Sequence, residues 1–266
     1  MARPTRTMTE QLRGRMRSAA LMHELARRVG AENPHQFAGW FDKHTGMDTQ
    51  ASGKWRLNFS GERPLSPQQL QLLSRCDGDV ARLHSAGPAD LWQALWGDVR
   101  ELWPLCRTRF SNHGPMLDDR IWSAIADEFN DEKSFGSALR EFEGELLLAD
   151  AYGEPLTLRH LTEAIAFYRL HQHINTVAPS DVDGVGAYRC MHMCLEDSAV
   201  RGELTTLGIG DLLANHVADM ELGRLKHERS YRSAVAVDDL LGYVRNPQAF
   251  MSEDARWDAL HLTWAD

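Results

Sequence analysis

The sequence of 266 residues predicts an all-α fold on three observations. Apolar side chains recur three and four positions apart along nearly the whole chain, the period of a buried helix face. Asn-Pro and Ser-Pro pairs stand where helices would open, and glycines where they would stop. Alternating β-branched residues are nearly absent, and Val235–Val237 is too short to outweigh the helical pattern.

The first helix is expected over 8–30, with Leu12, Met16, Ala19, Ala20, Met22, Leu25 and Val29 on its apolar side and Gly30 as its stop. Asn33-Pro34 opens the second, which buries Phe37, Trp40 and Phe41 and ends at Gly46. Ser66-Pro67 opens another, where Leu65 staples onto Leu70 and Leu70, Leu72 and Leu73 face inward. Over 88–103, Trp92, Trp96, Val99 and Trp103 follow at helical spacing and predict a single face. Further helices are expected over 118–130 (Ile121, Trp122, Ile125, Phe129), 135–152 (Leu139, Phe142, Leu146, Leu147), 157–174 (Leu161, Ile165, Phe167, Tyr168, Leu170), 185–207 and 210–225. Ser85–Pro88 and Thr176–Gly186 break the pattern and read as joints.

Charge divides the chain. Residues 1–75 carry twelve Lys or Arg against six Asp or Glu, a balance of +6, and the remainder carries −15. We therefore expect two parts: a basic domain over 1–87 with an Arg-rich N-terminal arm, and an acidic all-helical domain over 88–266. Eight Trp and 43% hydrophobic residues suffice for real cores, which argues against a disordered chain. There is no run of eighteen apolar residues, so no membrane partner is expected, and the Met-Ala-Arg-Pro-Thr-Arg start lacks a signal-peptide core, so the expected location is the cytoplasm. Cys76, Cys106, Cys190 and Cys194 are too few and too irregular for a disulfide framework and read as free thiols.

The stretch Gln36–Ser74 orders a short helix, Gly46, a turn, a helix carrying Trp55, then Gly61-Glu62-Arg63, a Pro-bearing turn and a Leu-rich helix. This resembles the helix-turn-helix module of lambda-repressor-like (XRE-type) regulators, over about residues 20–75. It departs from that pattern in a long Gly46–Ser52 turn and in Pro64, which comes a residue early. The resemblance implies a recognition helix anchored inward by Trp55 and Phe59, with Thr49, Gln50, Ser52, Lys54, Arg56 and Asn58 facing outward. Amides such as Gln50 and Asn58 suit adenine, whereas Lys54 and Arg56 suit guanine edges or phosphates. Arg63 lies in the following turn, and Arg3, Arg6, Arg13, Arg15 and Arg17 form an arm suited to phosphates.

The other clusters read as structure rather than chemistry. Cys190 and Cys194 share a helix face, but His192 lies about 200° away, so no zinc site is expected and no other metal or cofactor either. Asp181-Val-Asp183-Gly184 lacks the later ligands of a calcium loop. Glu141, Glu143 and Glu145 diverge on a helix and read as a solvated face. The chain contains no P-loop and no Gly-x-Ser-x-Gly elbow, and no enzyme activity is expected. Two functions stay open. One is a sequence-specific regulator of transcription that binds double-stranded DNA, as a homodimer or other homo-oligomer, with a protein or effector partner on its acidic domain. The other is a helical interaction or scaffold protein, such as a defence-system or toxin–antitoxin accessory, that binds no DNA.

Overall fold

Local capping chemistry starts and stops the helices of the computed structural model, which describes residues 7–110, 133–177, 184–227 and 240–247. Helix α1 (Met8–Arg28) opens on a capping box, in which Glu10 N donates to Thr7 Oγ1 and Thr7 N donates back to the Glu10 carboxylate. Helix α2 (Pro34–Thr45) opens on Asn33, whose side chain accepts from Gln36 N at 2.9 Å. Gly46, at φ 69°, stops it in the left-handed region. The single turn α3 (Arg56–Phe59) follows, then α4 (Pro67–Leu73), which has its own capping box between Ser66 and Gln69. Helices α5 (Val80–Ser85) and α6 (Leu91–Trp96) complete the N-terminal series. Beyond them lie α7 (Phe135–Tyr152), α8 (Leu158–Val177), α9 (Gly184–Glu196), α10 (Ser198–Thr206), α11 (Gly210–His227) and α12 (Leu240–Arg245). The fold is all-α, with no β-strand among the described residues.

The chain forms two compact units. The first is Met1–Trp92 with Arg201–Val217, and the second is Gln93–Val200 with Ala218–Asp266. The sequence places a boundary near residue 87 and assigns 201–217 to the acidic body. In the structure that segment returns to α1, where Gly208 lies so close to His23 that a Cβ would meet its Nε2 at 2.7 Å.

In the first unit, Leu21, Met22, Leu25, Phe37, Phe41, Trp55, Phe59, Leu65 and Leu73 belong to one buried cluster. Trp55 packs edge-on against Phe37 and Phe41, with ring centroids 6.0 and 5.0 Å apart, and Phe59 stands 5.6 Å from Phe37. Each such ring contributes roughly 1.5–3 kcal/mol by leaving water. In the second unit α8 is the central helix. Every residue from Leu161 to Tyr168 is buried, and a helix enclosed all round must carry apolar groups on every side. Phe167 packs at a tilt against Phe142 and edge-on against Phe135, with ring centroids 5.5 and 5.9 Å apart.

Three expectations need correction or limits. The expected 88–103 helix breaks up: α6 ends at Trp96, and 3-10 turns follow at Val99–Glu101 and Trp103–Leu105. Asp98 caps the first of these turns by accepting from Arg100 N, and Pro104 prevents helix continuation. Trp92 is consequently buried in the first unit, while Trp103 packs on Phe167 in the second, 6.3 Å between centroids. The expected 185–207 helix divides at Asp197, whose carboxylate accepts from Ala199 N and Val200 N and so starts α10. The helix expected over 118–130 and the Val235–Val237 run lie outside the described residues.

Glu141, Glu143 and Glu145 do not form a solvated face. They pair in turn with Lys133, Arg189 and Arg107, the last at 3.4 Å. Among the described residues, no helix is long and apolar enough to cross a membrane.

Candidate nucleic-acid interface

The stretch after α2 is shaped by one carboxylate. Asp42 accepts from Thr49 N at 2.8 and 2.7 Å, from Thr49 Oγ1 at 2.6 Å and from Gln50 N at 2.8 Å. Thr49 Oγ1 in turn accepts from the Trp55 indole N–H at 2.9 Å. Partial burial opposes the Asp42 charge, yet these hydrogen bonds, with Lys54 nearby, hold its carboxyl below the usual carboxylate range. Gly53, at φ 58°, turns the chain through the left-handed region. A carboxylate that captures two backbone N–H groups, followed by a left-handed residue, leaves Gln50–Trp55 as turns and shortens the expected recognition helix to α3.

That shortening changes what faces outward. Thr49 and Asn58, expected at the surface, are buried at 2% and 1% exposure. Asn58 donates to Arg63 O at 2.8 Å and accepts from Gln69 Nε2 at 2.9 Å, joining α3 to the next turn and to α4. Gln50 is half-buried and lies over Gly39 of α2, with its amide nitrogen 3.1 Å from His35 Nε2 and 3.2 Å from His35 O. A Cβ at Gly39 would meet that nitrogen at 2.9 Å, so the glycine makes room for the contact. Ser52 is exposed but donates to Thr49 O at 3.0 Å. Lys54, Arg56 and Arg63 are exposed, with the Lys54 ammonium 5.8 Å from the Trp55 ring centre.

The arm also differs from expectation. Arg13, Arg15 and Arg17 all lie within α1 and are half-buried. Arg15 Nε donates to Gly61 O at 3.0 Å, while Leu65 N donates to Ser18 Oγ at 2.8 Å, so α1 braces the turn after α3. Arg3 and Arg6 lie outside the described residues. Farther along α1, Arg27 and Arg28 pair with Glu24, and Arg28 also with Asp77 and Asp79. Lys54, Arg56 and Arg63, by contrast, form no ion pair among the described residues.

Beside this surface, a largely apolar cavity of about 340 Å3 opens between the N-terminal end of α2 and the turn. Pro34, Ala38 and Trp55 line it, with His35, Gln50 and Arg56 also on its walls. Sequence reasoning missed Asp42, His35 and Gly39. Nothing in helical periodicity marks an aspartate that reaches across a turn.

His84 of α5 is half-buried in the same unit. Burial first, and the Arg17 charge second, pull it down to about 4. An unfolded chain protonates histidine near pH ~6.5 and so binds more protons than the folded one between those values. Stability from this group is therefore complete above pH ~6.5 and fades as pH falls towards ~4. We expect His84→Gln to lessen the drop in urea midpoint between pH ~7 and pH ~5, with the lowered pKa of His23 supplying a remainder. An unaltered drop would contradict this assignment.

Several buried polar groups among the described residues of the second unit bind one another. Glu163, fully buried, accepts from Thr108 N at 2.9 Å, Thr108 Oγ1 at 3.0 Å and Arg107 Nε at 2.8 Å. Burial pushes its carboxyl up against the opposing pull of Arg107. Cys190 and Cys194 are buried; burial pushes the first thiol up to about 12 and raises the second well above its ordinary value. Both thiols are therefore held as neutral, unreactive groups. A cavity of about 450 Å3 is lined by Asp150, Glu154, Glu196, Asp197, His192 and Arg245, among others. Among the described residues, no three His, Cys, Asp or Glu side chains gather closely enough to hold a metal ion. No family model matches the chain, and no curated protein or solved structure matches it.

Proposed function

We propose that the first unit binds double-stranded DNA through Lys54, Arg56 and Arg63. The observation that carries this reading is the contrast among its cations. Arg27 and Arg28 are neutralised by carboxylates, whereas these three are exposed without an ion pair among the described residues. They stand on turns held from both sides, by Asp42 from α2 and by Ser18 and Arg15 from α1. Exposed cations on a braced backbone meet phosphates without a cost of ordering the backbone, each immobilised side chain still costing about 0.5–1.5 kcal/mol. The resemblance to helix-turn-helix regulators supports the same reading, and a role in transcription rests on that resemblance alone.

The test uses the full chain and a fluorescent duplex of about 20 base pairs at low salt. Binding should appear in fluorescence anisotropy, and Lys54→Ala with Arg56→Ala should weaken it by about 10- to 100-fold. Absence of binding by the unaltered protein would reject the proposal.

A further inference from the structure

The side chains of the turn and α3 suited to reading bases are committed elsewhere, whereas Lys54, Arg56 and Arg63, suited to phosphates, are exposed. We infer that the first unit holds duplex DNA by its backbone phosphates, with little direct reading of base edges, an inference that rests on the DNA-binding reading above. Thr49 is enclosed between Asp42 and Trp55, and Asn58 between Arg63 O and Gln69. The Gln50 amide nitrogen, which would donate to adenine, faces His35. The hydroxyls of Ser52 and Ser60 donate to the carbonyls of Thr49 and Leu57. The outward donors left on this stretch are the Lys54, Arg56 and Arg63 cations.

Length leads to the same conclusion. With four residues, α3 rises only about 6 Å. A duplex strand advances about 3.4 Å per base, so α3 spans fewer than two steps. A recognition helix lying in a major groove presents three or four side chains to successive bases. Here the exposed part of α3 offers Arg56 and the apolar Leu57, which is 39% exposed. One arginine can pair with one guanine, but it does not define a site against a genome of alternatives.

The test is selection of duplexes of about 20 base pairs from a randomised pool by the full chain, followed by affinity measurement on the enriched and starting pools. We expect affinities within about tenfold of one another, where sequence-specific binders separate by about 1,000-fold or more. Gln50→Ala should leave this flat profile unchanged, because its amide reads no base. An enriched motif bound about 100-fold more tightly would overturn the inference while leaving DNA binding intact. Failure to bind any duplex at low salt would overturn the DNA-binding reading, and this inference with it.

Discussion

Replacing Glu221 by alanine should destabilise the second unit by about 3–5 kcal/mol, the largest effect expected of any single polar substitution among the described residues. Glu221 is fully buried on α11 and faces Arg224, whose side chain is 1% exposed. Arg224 Nε donates to Glu221 Oε2 at 2.7 Å, and its Nη2 donates to Oε1. Tyr168 of α8 donates its hydroxyl to the same Oε2 at 2.7 Å, and Gln172 donates to the Tyr168 oxygen at 3.0 Å. Removing the carboxylate takes two charge-assisted acceptors from the buried Arg224 guanidinium and the acceptor from a buried phenol, whose pKa burial and Glu221 both raise. The pair itself contributes less than its loss costs, because both ions were desolvated to form it. Glu221→Leu combined with Arg224→Met should therefore recover only part of the lost stability, since the Tyr168 hydroxyl still lacks its acceptor. Urea unfolding followed by far-UV circular dichroism separates these outcomes. A single variant within about 1 kcal/mol of the parent would show that Glu221 does not hold α11 to α8 through Tyr168.

The second large effect is expected at Asp42. Asp42→Ala leaves Thr49 N, Gln50 N and the Thr49 hydroxyl without their acceptor, at a cost of about 2–3 kcal/mol. The consequence for binding should exceed that for stability, since the turn carrying Lys54 would lose its fixed geometry. Trp55→Phe keeps an aromatic ring but removes the indole donation to Thr49, about 1 kcal/mol, and also leaves part of the buried indole volume empty, at a further cost. The depressed Asp42 pKa sets the direction with pH. Its contribution is present above the unfolded pKa near ~4 and is lost as pH falls through the folded value. If Asp42→Ala left both stability and DNA affinity unchanged, the turn would not be held by this carboxylate.

Helix identity was legible where the signal is local. Asn33-Pro34, Gly46 and Ser66-Pro67 cap or stop helices in the structure as their chemistry predicts. Trp55 and Phe59 turn inward as their bulk requires. The reading of Thr49 and Asn58 as outward residues carried one regular outward face from the Gly46–Ser52 turn into the helix that follows it. Gly53 and the Asp42 contacts break that continuity, so a helical wheel assigns those two side chains to the wrong side. The Trp92–Trp103 spacing misled for a related reason, because Asp98 and Pro104 interrupt a pattern that apolar periodicity alone continues. The return of Arg201–Val217 to α1 is a long-range contact, and no local signal announces it. The charge split pointed to the first unit, but only the structure separates cations already paired, such as Arg28, from those left exposed, such as Arg56.

The central claim, that Lys54, Arg56 and Arg63 meet DNA phosphates, is tested most directly by the salt dependence of duplex binding by the full chain. Three phosphate contacts predict a slope of log affinity against log salt of about −3, and each alanine substitution should reduce it by about one. A slope near zero, or one that the triple alanine variant leaves unchanged, would contradict the account.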